Sequence, residues 1–244
     1  MTLCHIFCQH HVPEDVEWAV RDSLEKLRLD YVDLYLIHWP VALKKMSENQ
    51  WSQSADKKVR YYAEGVTLAD TWRAMERLVD LKLVRSIGVS NFKASEIDEI
   101  LQIARIRPAV NQIELHPYLN QRNMRDYCTK QQIVVTSYCP LANLKRENER
   151  EEDASALYNP VIQDMATRRD KTPAQIILRW HLQLDLTVIP KTVTAARLVE
   201  NSQVFDFTLS QDEMDRIDRL GETHRRRFVN PAFLPPADRN VFDD

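Results

Sequence analysis

Apolar positions along this chain switch repeatedly between two periods. Residues 31–38, YVDLYLIH, form a nearly unbroken apolar run rich in Tyr, Val, Leu and Ile. Such a run reads as a strand buried on both faces of a parallel sheet, and Pro40 ends it. Just ahead, PEDVEWAVRDSLEKLR places Val16, Ala19, Val20, Leu24 and Leu27 at helical spacing behind Pro13 and two first-turn acids. The alternation continues. TLADTWRAMERLVDLKLV predicts a helix capped by Thr67 and leads into the strand VRSIGVSN. SEIDEILQIAR precedes VNQIELH, and RNMRDYCTKQQ precedes IVVTSYCP. TPAQIILRWHLQL starts with Thr172 as N-cap and Pro173 at the first helical position, then gives way to LTVIPKT. TAARLVENSQV and SQDEMDRIDRL are further helices, the second with Ser210 and Glu213 as a capping box.

Strand–helix units in series predict an α/β fold, a parallel sheet covered by helices. Strands near 31–38, 84–91, 110–116, 133–139 and 186–191 make five, and TLCHIF offers a sixth. A closed (β/α)8 barrel uses eight strands in about 250 residues. The 244 residues are nearly enough, but the strand count falls short. We expect one domain over 1–244, with a divergent N-terminus at 1–12 and an extended, Pro-rich tail at 221–244.

Composition narrows the chemistry. A net charge of −3 gives no basic excess to hold nucleic acid or a membrane surface. No apolar run approaches the ~20 residues that span a bilayer. The N-terminus lacks the pattern of a signal peptide, and four cysteines make no disulfide framework, so a reducing cytoplasm is expected. Cys4, Cys8, His10 and His11 lie close together in sequence but match no zinc spacing, and no metal is expected. Gly65, Gly88 and Gly221 are too scattered for a Gly-rich phosphate loop. The loop 41–65, with Trp51, Tyr61 and Tyr62, is longer than ordinary connections, and loops of that length are functional or disordered. The charge run LKRENEREED reads as a solvated face.

Polar groups gather where α/β sheets place their chemistry, at the carboxyl ends of strands. His38–Trp39, Ser90–Asn91, Gln112 with Glu114, Tyr138, and Lys191–Thr192 occupy five such ends. Turn chemistry explains Ser90 or Asn91 alone, but not Gln112 inside a strand.

LDYVDLYLIHWP, IGVSNF, VNQIELHPY, VVTSYCPL and VIPKTVTAARLVEN are very similar, in order and spacing, to the motifs of the aldo-keto reductases. The resemblance runs from about Pro13 to Leu220. It implies a (β/α)8 TIM-barrel type fold and reduction of aldehyde or ketone carbonyls with NADPH. Ser90, Asn91 and Gln112 would then hold the nicotinamide carboxamide, and Tyr138 would stack on the ring. Cys139 and Leu141 would belong to the pyrophosphate loop. Lys191, Thr192, Val193 and Arg197 would hold the 2′-phosphate end, and Glu200 and Asn201 the adenine end. His38 would orient and polarise the carbonyl, and Trp39 would line the substrate pocket.

The chain also departs from that pattern. The family's acid is a tyrosine poised by a lysine and an aspartate. The tyrosine and aspartate belong to strand–helix units that would precede this sequence, so the expected barrel is incomplete. Aligning on Pro13 puts His5 near the lysine's place, on a terminus expected to lack neighbouring strands. In the loop where the family reads serine–proline–leucine–glycine–serine, this chain has Cys139, Ala142 and Asn143. A positioned acid supplies ~10²–10⁴-fold, so turnover at least ~10²-fold below an intact relative is expected. His38 offers an alternative donor if its imidazolium is available near neutral pH. A second reading stays open: a non-catalytic NADPH-binding or partner-binding protein. The intact family is monomeric; open barrel edges here would offer a route to association.

Overall fold

The computed structural model describes residues 1–44, 63–142 and 155–229. Its elements alternate as the apolar pattern requires: β1 (Leu3–Ile6), α1 (Pro13–Leu27), β2 (Val32–Ile37), α2 (Leu68–Asp80), β3 (Val84–Ser90), α3 (Ala94–Ile103), β4 (Val110–Glu114), α4 (Arg122–Lys130) and β5 (Val134–Tyr138). Then come α5 (Pro160–Arg169), α6 (Pro173–Gln183), β6 (Thr187–Val188), α7 (Ala195–Ser202), α8 (Gln211–Asp218) and the short α9 (Leu220–Thr223). The strand order follows the sequence, β1-β2-β3-β4-β5-β6, and TLCHIF supplies the sixth strand as β1.

The chain divides into two compact units. The first holds Met1–Asn111 and Asp126–Ile133 among its described residues; the second holds Gln112–Arg125 and Val134 onward.

In the first unit, β1 pairs in parallel with β2 from Leu3↔Leu34 to Ile6↔Ile37, and β2 pairs with β3 from Val32↔Val84 to Ile37↔Val89. Leu34, Leu36 and Val110 form a buried cluster with Leu3 and Ala109 packed on it. Gly88 permits that packing. A Cβ there would lie 2.7 Å from the Val110 carbonyl oxygen and 2.8 Å from Leu36 Cδ2. Helix α1 buries Val16, Ala19, Val20 and Leu24, and it stops at Arg28 in the left-handed region. Thr67 and Asp70 cap α2 reciprocally, each side chain accepting from the other's backbone N–H at 3.1 Å.

In the second unit, the Leu115 N–H donates to the Tyr138 carbonyl at 3.3 Å, and β5 pairs in parallel with β6. Strand β6 is only two residues long, shorter than the apolar run LTVIP suggested. Ser137 Oγ donates to the Leu115 carbonyl at 2.6 Å and lies 3.1 Å from Nε2 of the buried His181. Thr172 caps α6 with Pro173 at its first position, and Ser210 caps α8 with Glu213 closing the box. Helix α5 has no clear apolar period in sequence. Its signal is the Asn159–Pro160 pair: the Asn159 side chain accepts from the Val161 N–H at 3.0 Å, and proline needs no partner at that position. No described helix is long and apolar enough to cross a membrane.

Candidate functional site

His38 follows directly on β2, and its N–H donates to the Ile6 carbonyl at 3.2 Å. Asn91, one residue past β3, donates through Nδ2 to the His38 carbonyl at 2.9 Å and to Ser90 Oγ at 3.2 Å. Asn91 takes a φ of +64°, a left-handed conformation that asparagine tolerates better than most residues. Three of the expected residues, His38, Ser90 and Asn91, are thus brought together at adjacent strand ends. Trp39 is buried beside His38, with ring centroids 6.2 Å apart.

Two expectations about the histidines are corrected. His5 does not sit on a loose terminus: β1 carries it in register with Leu36, and its ring lies 5.0 Å from that of His38. Phe7 meets His38 edge-on at 5.4 Å. The His38 imidazolium is not available near neutral pH either. Burial, reinforced by the charge of His5, pushes His38 down to about 4, so the ring is neutral at pH 7. A neutral ring can still donate an N–H hydrogen bond to an oxygen. His11 is also buried and is driven down to about 3, chiefly by burial against a backbone bond to Ile6 that favours the charged form.

The second unit carries the remaining strand ends. Gln112 is buried within β4, and Tyr138 ends β5. Burial and then the Glu114 charge push the Tyr138 hydroxyl well above its ordinary range, so it is uncharged. Burial, with a contribution from Glu114, raises the Cys139 thiol to about 11 and makes it a poor nucleophile at neutral pH. Cys139 and Ala142 both adopt left-handed conformations, with φ of +52° and +46°. The Ala142 N–H donates to the Cys139 carbonyl at 3.0 Å, closing a tight turn around Leu141. Asn143 lies outside the described residues, as do Trp51, Tyr61, Tyr62 and most of the loop 41–65.

Past β6 the expected phosphate-binding residues are open to solvent. Lys191, Val193 and Arg197 are exposed and Thr192 is half-buried; its Oγ1 accepts from the Thr194 N–H at 3.1 Å. Helix α7 buries none of its residues. Its Glu200 is anchored, accepting from Thr172 Oγ1 at 2.7 Å, and Asn201 is half-buried next to it. Two cations and a hydroxyl on one exposed stretch form a donor set suited to a phosphate dianion.

One cluster went unrecognised in the sequence. Glu114 and His116 are both fully buried, and His116 Nε2 donates to Glu114 Oε1 at 2.9 Å. The backbone N–H groups of Phe228 and Val229 donate to the two oxygens of the same carboxylate at 2.7 and 2.8 Å. The signal was available in QIELH. Two titratable residues two apart in a buried apolar segment require internal partners.

A family model described as Aldo/keto reductase family matches residues 4–222. Aldo-keto reductase family 1 member A1 of Sus scrofa is 43% identical over 231 residues, which covers 95% of this chain and 69% of that protein. The Gallus gallus protein of the same name is 43% identical over 217 residues, covering 89% of this chain and 65% of that one. The aldose reductase of Schistosoma japonicum superposes with a TM-score of 0.84 at 38% identity, over 94% of this chain and 70% of that one. That of Giardia lamblia gives 0.88 at 32%, over 99% and 78%.

Proposed function

Because this chain belongs to the Aldo/keto reductase family, we propose that it is an NADP-dependent oxidoreductase that reduces aldehyde or ketone carbonyls to alcohols. The matched curated relatives carry the name aldo-keto reductase and the similar structures are aldose reductases, which supports carbonyl reduction as the reaction class. The observation that carries the reading is the junction of β2 and β3. There a neutral histidine and an Asn–Ser pair meet at adjacent carboxyl strand ends.

The residues present fit a phosphorylated dinucleotide by the chemistry of their donors. Ser90, Asn91 and Gln112 are amide and hydroxyl groups suited to a carboxamide, and Tyr138 offers a ring face. Lys191, Thr192 and Arg197 suit the 2′-phosphate, Val193 lies between them, and Cys139 and Leu141 lie on the turn after β5. Glu200 and Asn201 would meet the adenine. When bound, the dinucleotide would supply hydride to the carbonyl carbon, and the resulting alkoxide would take its proton from water. His38 acts as a neutral N–H donor that orients and polarises the carbonyl oxygen, since an uncharged imidazole still presents one donor. Trp39, buried next to His38, would line the substrate pocket. The cytoplasm is the compartment that fits a soluble reductant-dependent enzyme with four free thiols.

The test is steady-state NADPH oxidation with a panel of aldehydes, with the alcohol quantified and His38→Ala as control. Alcohol formation that disappears in the control supports the reading. NADPH fluorescence quenching without alcohol in the unaltered protein would replace it with the non-catalytic, cofactor-binding alternative.

A further inference from the structure

Glu114 is a carboxylate with no exposed surface, and among the described residues its carboxylate accepts three hydrogen bonds. Oε1 accepts from His116 Nε2 and from the Phe228 N–H, and Oε2 accepts from the Val229 N–H. Burial alone would raise the Glu114 carboxyl. The His116 contact and the two backbone donors outweigh it and hold the group below its usual range. His116 is held below its own range by burial, which outweighs the pull of Glu114, so it is a neutral donor. The carboxylate is therefore ionised, and among the described residues the tail's backbone supplies two of its three hydrogen-bond donors. The rest of the segment follows that anchor. The Arg226 N–H donates to the Tyr118 carbonyl at 2.9 Å, and the Arg226 guanidinium lies 4.7 Å from the centre of the Phe228 ring. Phe228 meets the His116 ring edge-on at 5.2 Å.

We propose that Glu114 is a positioning residue that latches the segment Arg226–Val229 onto the end of β4, next to the Leu115 N–H that bonds the Tyr138 carbonyl. An extended backbone has no partner of its own for its N–H groups, so a buried anion that takes two successive donors fixes both its path and its direction. Removing the carboxylate's charge removes the reason for residues 228 and 229 to turn inward. The consequence for function rests on the reading of Tyr138 as the nicotinamide platform. Releasing the latch frees the tail segment at the end of β4, where Leu115 is bonded to Tyr138, so bound NADPH leaves faster.

The experiment is residue-resolved amide hydrogen exchange on the full chain, unaltered and as Glu114→Gln, with the NADPH dissociation rate measured on both. Glu114→Gln should raise exchange at the Phe228 and Val229 amides by about tenfold or more, the loss expected for charge-assisted bonds. The Leu115 and Ile189 amides, which bond within the sheet, should stay protected. Val229→Pro removes one donor from the tail side and should release the Phe228 amide, which keeps the test valid if Glu114→Gln does not fold. Unchanged exchange at Phe228 and Val229 in Glu114→Gln, or at Phe228 in Val229→Pro, overturns the latch. Faster NADPH release in Glu114→Gln, with KM for the aldehyde moved less than the dissociation rate, supports the link to Tyr138. Released tail amides with an unchanged NADPH rate overturn that link alone. An unaltered protein that binds no NADPH overturns the assignment of Tyr138, while the exchange data still decide the latch.

Discussion

The Asn91 side-chain amide donates to the His38 backbone carbonyl at 2.9 Å, and so ties the end of β3 to the end of β2. The bond satisfies a carbonyl that the parallel ladder, which runs out at Ile37↔Val89, no longer reaches. Asn91 also holds a positive φ. Two substitutions separate these roles. Asn91→Gly keeps the backbone conformation and loses the bond, at an expected cost of about 1 kcal/mol. Asn91→Ala loses both and should cost about 2–3 kcal/mol, since a left-handed residue with a Cβ adds about 1–2 kcal/mol. Urea midpoints at constant slope measure the difference; equal midpoints for the two variants would show that the conformation contributes nothing.

Ala142 occupies a left-handed position, φ +46°, in the tight turn that follows β5. Its methyl group is buried, so the strain is not offset by exposure. Ala142→Gly should raise stability by about 1 kcal/mol, the cost of a Cβ in this region less the added freedom of glycine when unfolded. A lowered thermal midpoint would mean that the methyl group's packing outweighs the strain.

Gly88 presents the opposite case. Its φ is ordinary, but a Cβ would meet backbone at 2.7 Å, and backbone cannot rotate away. Gly88→Ala should destabilise the chain by about 1–3 kcal/mol through overpacking. Chemical denaturation reads this directly, and a neutral result would require β3 and the start of β4 to part without penalty.

How much of this was visible in the chain itself follows from the same residues. Short apolar runs place β1 to β5, and the period of 3.6 most helices, within a residue or two, because strands such as β2 and β4 are buried on both faces and these helices each bury one apolar face. Thr67, Thr172 and Ser210 were legible as caps because a capping side chain bonds within three residues of itself, as all three do here. The meeting of Asn91 with His38 was legible only as a shared strand-end position. Sequence carries no sign that one donates to the other's backbone. Glu114 and Phe228 lie 114 residues apart and were not linked, since a backbone donor leaves no trace in residue identity. The state of His38 was misjudged because burial and the nearness of His5 depend on the pairing of β1 with β2.

Two buried histidines, His11 and His181, and the half-buried His38 set the response to acid. In the folded chain His38 and His181 titrate at about 4 and His11 at about 3, in each case chiefly through burial. His38 is faced by His5 and His11, His11 by His38 and His10, and His181 by His116 and Arg125. Unfolded, each titrates near ~6.5. Between these values the unfolded chain holds more protons than the folded one. Stability therefore rises with pH through this window and is lost as pH falls from about 6.5 toward 4. Urea midpoints should drop steadily from pH 7 to pH 5. His38→Gln should reduce that slope by about one proton. A midpoint independent of pH in this range would show that these rings are hydrated and charged in the native state.

Cofactor choice turns on the exposed stretch after β6. Lys191 and Arg197 are both open to solvent and flank the Thr192 hydroxyl in sequence, whereas Glu200, the nearest carboxylate on α7, is held by Thr172. An exposed cation pair gains little from an uncharged ribose but forms charge-assisted bonds with a 2′-phosphate. Each such bond is worth about 1.5–3 kcal/mol, enough for roughly tenfold or more in affinity. NADPH should therefore bind more tightly than NADH, and Arg197→Ala should weaken NADPH about tenfold while leaving NADH nearly unchanged. The difference should shrink with added salt, because neither cation is buried. Fluorescence titration of both dinucleotides at two ionic strengths measures all three effects. Equal affinities in the unaltered protein would remove Lys191 and Arg197 from the phosphate site, and an equal loss for both dinucleotides in Arg197→Ala would assign Arg197 to the helix instead.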